Sequence, residues 1–133
     1  MSKLIKVAMI VAGVGAMLCF AGCGGAQRNV ATNVIDHLKS FDMDGVKQYA
    51  VDNSSFERHV NTWKGINADS ELDKKGKEVL ERFKKKLANA KYIIGAVTVD
   101  GDKANISIKI DDEEQIMVLL KVGEQWKVKE FDF

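Results

Sequence analysis

The spacing of apolar residues changes once along the chain, near Tyr92, and this change constrains the fold more than any other feature. Between residues 29 and 91, apolar side chains recur every three or four positions, which predicts helices. From Tyr92 to Phe133 apolar and polar residues alternate, which predicts strands. Because the helices precede the strands, the sequence predicts an α+β domain with helices packed on one face of an antiparallel sheet.

The helical half divides at its polar turns into four helices. The first ends near Ser40, and a short second helix contains Val46. Ser54 is predicted to open the third helix, because a glutamate follows it with the spacing of a capping box. Ser70 is predicted to cap the fourth helix, with Asp73 in the reciprocal position.

Four strands joined by short turns are predicted for the second half. The first strand ends at Asp100-Gly101, a dipeptide typical of tight hairpin turns. Further turns fall at residues 111–114 and 123–124, and the apolar phase shifts in the last strand, which predicts a bulge near Glu130. The result is a four-stranded antiparallel meander with one face covered by helices and the other free to bind.

The N-terminal segment has the three parts of a secretory signal. Lys3 and Lys6 precede an uncharged apolar run over residues 7–20, which is shorter than the roughly 20 residues that a helix needs to cross a membrane. Small residues follow this run. Residues 1–22 are therefore predicted to be a signal peptide that directs export.

The end of this run, Phe20-Ala21-Gly22-Cys23, resembles a bacterial lipobox, in which a bulky apolar residue and two small residues precede a cysteine. The resemblance implies cleavage between Gly22 and Cys23, a diacylglycerol on the Cys23 sulfur, and acylation of the new amino terminus by a fatty acid such as palmitate. The alternative is an ordinary signal peptide or an uncleaved anchor. Several acyl chains anchor firmly, since each buried methylene contributes about 0.8 kcal/mol.

The lipobox resemblance also implies a location in the cell envelope. In bacteria with two membranes, an aspartate after the lipidated cysteine often signals retention at the inner membrane. Gly24 stands there instead, so the outer membrane is expected in such a host. Residues 23–28 are predicted to be the lipidated cysteine and a flexible tether of about 15 Å, and residues 29–133 a single domain. Cys19 falls in the segment to be removed, so no disulfide is expected.

Charge and motifs exclude several classes of function. The chain has 20 basic and 19 acidic side chains, and two of the bases, Lys3 and Lys6, belong to the signal peptide. Without a basic excess, nucleic acid is not expected as a partner. The sequence has no phosphate-binding loop, nucleophile elbow, Cys-x-x-Cys pair or histidine pair spaced for a metal. We therefore predict no cofactor, no metal and no catalytic residue.

Two short motifs resemble those of a known superfamily. Residues 41–45, Phe-Asp-Met-Asp-Gly, have the form of a turn between the first two helices, and residues 123–128, Gly-Glu-Gln-Trp-Lys-Val, that of a final hairpin. With the order of elements, they resemble the nuclear-transport-factor-2-like, or cystatin-like, superfamily found in exported lipoproteins of unknown function. The resemblance implies a curved sheet wrapped around a long helix, sometimes with a pocket at the open end. It implies no reaction, because this fold hosts enzymes, binding modules and scaffolds.

Five side chains are candidates for lining such a pocket: His37, Tyr49, Trp63, Tyr92 and Trp126. Their spacing also predicts a boundary position for His37 and core positions for the four aromatic residues, and we favour this second interpretation. The acidic run 111–114 lacks the spacing of a calcium loop and is predicted to be a solvated hairpin tip. The lysines of the fourth helix alternate with acids, which is typical of a solvated face rather than a membrane-binding one.

Two functions remain open. The one we favour is a membrane-anchored lipoprotein whose sheet or cavity binds an envelope protein or a small apolar ligand. The alternative is a small cofactor-independent lyase or isomerase of the ketosteroid-isomerase type. A deep pocket holding an ionisable group with a shifted pKa would indicate the enzyme. A filled core with an exposed apolar sheet face would indicate the interaction module.

Overall fold

The computed structural model describes residues 24–133 as four helices followed by four strands. The helices are α1 (Gly25–Lys39), α2 (Met43–Lys47), α3 (Ser55–Ala68) and α4 (Lys74–Asn89), and the strands are β1 (Tyr92–Asp100), β2 (Lys103–Ile110), β3 (Glu113–Val122) and β4 (Gln125–Glu130). The strands form one antiparallel sheet in chain order. The predicted α+β class and four-stranded meander are therefore confirmed. No helix in residues 24–133 combines the length and apolarity that crossing a membrane requires.

The start of α1 differs from the predicted flexible tether. Residues 1–23, including the predicted signal peptide and Cys23, lie outside the described residues. Within the predicted tether 23–28, however, residues 25–28 form the first turn of α1, and Gln27 is buried. The amide of Arg28 donates to the carbonyl of Gly24 at 2.8 Å. Packing against the sheet outweighs the flexibility that the glycine-rich sequence suggested.

Side-chain caps fix the starts of α2 and α3. The Asp42 carboxylate accepts a hydrogen bond from the amide of Gly45 at 3.0 Å. The Ser54 hydroxyl accepts from the amide of Glu57 at 3.0 Å, which confirms the predicted start of α3. The Glu57 carboxylate in turn accepts from the amide of Asn53 at 3.1 Å rather than from Ser54. Each cap satisfies an amide that has no partner within its helix.

The cap of α4 corrects the prediction. Asp73, and not Ser70, is the N-cap residue, and its carboxylate accepts from the amide of Gly76 at 2.7 Å. The residues around Ser70 belong to a separate turn, in which the Asp69 carboxylate accepts from the amide of Glu71 at 2.9 Å. Aspartate side chains favour such local turns as well as caps, so the sequence permits both starting points.

Replacing Asp73 by alanine is expected to lower the free energy of unfolding by about 1 kcal/mol, because it removes the hydrogen bond that caps α4. Replacing Ser70 by alanine is the matched control and should change the free energy of unfolding very little. Urea denaturation followed by circular dichroism measures both. Equal losses for the two variants would contradict the assignment of the cap.

The core lies between the helices and the inner face of the sheet. α1 crosses the sheet and contacts β1, β2 and β4. The inward side chains of β2 and β3 meet in register, since Ile106 pairs with Met117 and Ala104 with Leu119. All four are buried, as are Val34, Ile35 and Leu38 of α1 and Phe56 and Val60 of α3. The largest fully buried side chains are Phe56, Leu38, Ile106, Ile108, Met117, Leu119, Val34, Val46, Val60 and Val128. This side of the sheet is therefore filled.

The two edges of the sheet differ. The segment after α2 covers the centre of β4, where the amide of Val51 donates to the carbonyl of Val128 at 2.8 Å and the amide of Val128 donates to the carbonyl of Tyr49 at 2.6 Å. The outer edge of β1 pairs with no other strand within the part of the chain that the structure describes. β4 also bulges, because Val118 pairs with Glu130 whereas Leu119 pairs with Val128. The predicted bulge near Glu130 is confirmed.

Candidate functional site

A groove of about 440 Å³ lies between the start of α1 and the hairpin that joins β3 to β4. Its apolar lining comes from Ala26 and Val30 of α1, from Tyr49 after α2, and from Trp126 of β4. The remaining lining residues are polar: Gln48, Glu124, Gln125 and Lys127. Gln48, Glu124 and Gln125 are exposed, so the groove opens to solvent. Two of the five predicted pocket residues, Tyr49 and Trp126, thus line one concave surface.

His37 lies beside this groove but is held by the α1–α2 turn. Its ring centroid is 6.1 Å from that of Tyr49. Its Nδ1 is 3.0 Å from one carboxylate oxygen of Asp42, and the other oxygen caps α2. A Cβ on Gly45 would lie 2.6 Å from His37 Cε1, so only glycine fits beneath the ring. The 41–45 motif therefore packs His37 and Asp42 together, and His37 supports the turn.

Trp63 belongs to a separate aromatic cluster between α3 and α4. Its ring stacks on Phe83, with centroids 3.8 Å apart and planes inclined by 13°. Phe41 approaches both rings edge-on, at 6.5 Å and 6.1 Å. Phe133 lies 6.3 Å from Phe83 and 4.3 Å from His59, whose buried Nε2 has no hydrogen-bond partner among the residues described. Trp63 therefore packs within this cluster and does not line the groove.

Tyr92 is also outside the groove. It starts β1, and its hydroxyl donates to the carbonyl of Leu87 at 3.4 Å. Burial, with a smaller contribution from the Asp111 carboxylate, raises the pKa of Tyr92 above its ordinary value. At the surface, a hydrogen bond from Lys64, together with its charge, lowers the pKa of the Asp44 carboxyl. Neither of these two groups lines the groove.

The sheet face that points away from the helices carries a row of apolar side chains, here called the β3 row: Ile116, Val118, Leu120 and Val122. These residues alternate with the buried Met117 and Leu119, so they lie on the opposite face. Ile116 and Val122 are 48% and 47% exposed. Ile93 of β1, 50% exposed, points the same way. No other element covers this face within residues 24–133.

Polar residues border the β3 row on both sides. On β2, Asn105 pairs with Val118 and Lys103 with Leu120. On β4, Lys127 also pairs with Leu120. Apolar residues occupy both sets of alternate positions in β3, so its own sequence does not decide which set faces the core. The pairing register decides it, because the buried Ala104 and Ile106 of β2 lie opposite Leu119 and Met117 and so place the β3 row outward.

The two surfaces suit different partners. The β3 row is about 20 Å long at the usual rise per residue of a strand. Such a row fits another protein surface, because small ligands bind mainly in concave sites. The groove is concave and combines two amphipathic aromatic rings with the carboxylate of Glu124. No protein-family model and no curated protein matches the sequence, so the geometry of these surfaces is the basis for a functional proposal.

Proposed function

We propose that this chain is a lipoprotein of the bacterial cell envelope whose domain binds another envelope protein through the outer face of its sheet. The proposal has two parts, attachment to a membrane at Cys23 and recognition by the β3 row. The observation that carries it is the uncovered β3 row on a sheet whose opposite face has a filled core. Exposed apolar patches of this kind are typical of interaction sites.

The attachment is supported by the sequence before the domain. A short apolar run between two lysines and the lipobox-like residues 20–23 has the layout of a lipoprotein signal. With cleavage after Gly22 and a diacylglycerol on Cys23, the domain sits on a membrane surface. In a host with two membranes, Gly24 favours the outer one.

We further propose that the domain is a member of the nuclear-transport-factor-2-like, or cystatin-like, superfamily. The order of helices before a meander supports this assignment, as does the position of α1 across the sheet. The 41–45 motif spans the end of the α1–α2 turn and the start of α2, and the 123–128 motif spans the β3–β4 turn and the start of β4. These are the places that the resemblance implies for them.

The chemistry of the face specifies the partner. Lys103 and Lys127 flank Leu120 from both sides, so a matching surface has aliphatic side chains and a carboxylate opposite this position. Ile116 and Val122, which are each about half-exposed, contribute on the order of 1 kcal/mol apiece when they are covered. These contributions fall short of the cost of association, which is about 4–15 kcal/mol. Binding is therefore favoured when both proteins are held on one membrane, which raises their effective concentration.

A photo-crosslinking residue at position 118, in cells of the host, is expected to give one discrete adduct with a single envelope protein. The same residue at position 85, on the exposed face of α4, is the control and should give none. Leu120→Glu in the position-118 chain should reduce the adduct roughly tenfold or more, because it buries a charge in the contact.

Leu120→Thr is the milder comparison and should keep most of the adduct, since threonine retains a methyl group and suits a strand. An adduct that survives Leu120→Glu, or equal yields at positions 118 and 85, would refute recognition by the β3 row. An adduct with the mass of two copies of this chain would replace the envelope partner by self-association.

A further inference from the structure

α1 begins against the sheet. An anchor at residue 23 would therefore be joined to the folded domain without a flexible tether between them. Gly24 is buried, and a Cβ on it would lie 3.1 Å from the Cβ of Val97 in β1. Its φ of +85° also favours glycine. Consecutive Cα atoms are about 3.8 Å apart across a trans peptide bond. A lipid on Cys23 would therefore hold this end of the domain at the membrane surface.

The groove lies at the same end of the domain. Ala26 and Val30 belong to the first two turns of α1, and a helix rises only about 9 Å from residue 24 to residue 30. Glu124 and Trp126 come from the turn of the β3–β4 hairpin and the start of β4, which meet this part of α1. The groove thus begins at Ala26, about 3 Å along the helix axis from residue 24, and extends to Trp126 on the last strand of the sheet.

We infer that this groove receives zwitterionic phospholipid headgroups of the membrane that holds the anchor, an inference that rests on the proposed lipidation of Cys23. Tryptophan and tyrosine concentrate at membrane interfaces because one end of each ring system is apolar and the other is wet. Trp126 and Tyr49 supply this pair in the groove. Glu124, in the turn at the edge of the groove, is placed for the ammonium group.

The other tryptophan provides a natural reference point. Trp63 packs against Phe41, which follows the C-terminal end of α1. A helix of 15 residues is about 22 Å long, so Trp63 lies near the opposite end of α1 from residue 24. With the start of α1 at the membrane, the groove contacts the membrane and the β3 row faces along the membrane plane. A second envelope protein on the same membrane can then reach the β3 row.

The test measures the depth of each tryptophan in the lipidated protein, purified from its host and reconstituted into phosphatidylethanolamine-rich vesicles whose acyl chains are brominated. Trp63→Phe leaves only Trp126, and Trp126→Phe leaves only Trp63. Brominated lipid is expected to reduce the emission of Trp126 to roughly half or less, because an interfacial indole contacts the upper acyl chains. The emission of Trp63 should not change.

Charge substitutions provide a second measurement. Glu124→Gln should weaken the quenching of Trp126, whereas Glu130→Gln, at an exposed glutamate outside the groove, should not. Flotation with the vesicles but no quenching of Trp126, or equal quenching of both tryptophans, overturns the inference and leaves the anchor intact. Failure to float overturns the lipidation instead. If Trp63→Phe does not fold, the quenching of Trp126 is obtained by subtracting the emission of Trp126→Phe from that of the unsubstituted protein, with and without brominated lipid.

Discussion

Replacing Cys23 by serine is expected to abolish lipid attachment and firm membrane binding. The protein from its host should begin at Cys23 and carry the mass of a diacylglycerol, whereas the serine variant should carry no acyl chain. The thiolate of cysteine is the nucleophile in such modifications, and a serine hydroxyl does not replace it. With about 0.8 kcal/mol for each buried methylene, losing the chains lowers membrane affinity by several orders of magnitude. Intact-mass spectrometry and flotation of washed membranes measure the two effects.

Cys19→Ser is the matched control for this experiment. It makes the same chemical change four positions earlier, in the segment predicted to be removed, and should leave the mature mass and the membrane binding unaltered. Unmodified mature protein, or a Cys23→Ser variant that still carries acyl chains, would contradict the anchor.

Replacing Phe56 by alanine is expected to lower the free energy of unfolding by about 3–5 kcal/mol. Phe56 is 1% exposed, and its ring lies 6.5 Å from Phe131 and 5.7 Å from Phe133. The substitution leaves a cavity where α3 packs against the residues that follow β4. A domain of this size is stabilised by about 5–15 kcal/mol in total, so much of the variant should be unfolded on mild denaturation.

Val79→Ala is the control for the loss of apolar surface without a cavity, because Val79 is 44% exposed on α4. Its effect should stay within about 0.5 kcal/mol. Urea denaturation followed by far-ultraviolet circular dichroism compares the two variants. Similar losses at both positions would show that Phe56 is not in the core as described.

The strand half of the fold was predictable because alternation depends only on neighbouring residues. The first hairpin turn falls directly after Asp100, at Gly101 and Asp102, and Gly101 has a φ of +61°. The shift of apolar phase after Val128 corresponds to the β4 bulge, which returns Phe131 to the core at 5% exposure. In each case a short stretch of sequence contains both the cause and the structural result.

Features that depend on distant contacts were not predictable. Gly24 and the residues after it have the composition of a flexible linker, and only their contact with Val97 shows that α1 begins there. The early start of α1 also determines which residues line the candidate site. Tyr49 and Trp126 were identified as aromatic residues suited to a pocket, but Ala26 and Val30 complete the groove only because α1 starts early.

The unequal edges of the sheet limit how copies of this domain can stack. A fibril built by edge-to-edge pairing of sheets grows without limit, because each added molecule presents another unpaired edge strand. Here the backbone of residues 49–51 already occupies the middle of one side, and only β1 is unpaired among residues 24–133. Two molecules that join β1 to β1 use up their free strands together. Such pairing closes at a dimer and leaves no template for a third chain.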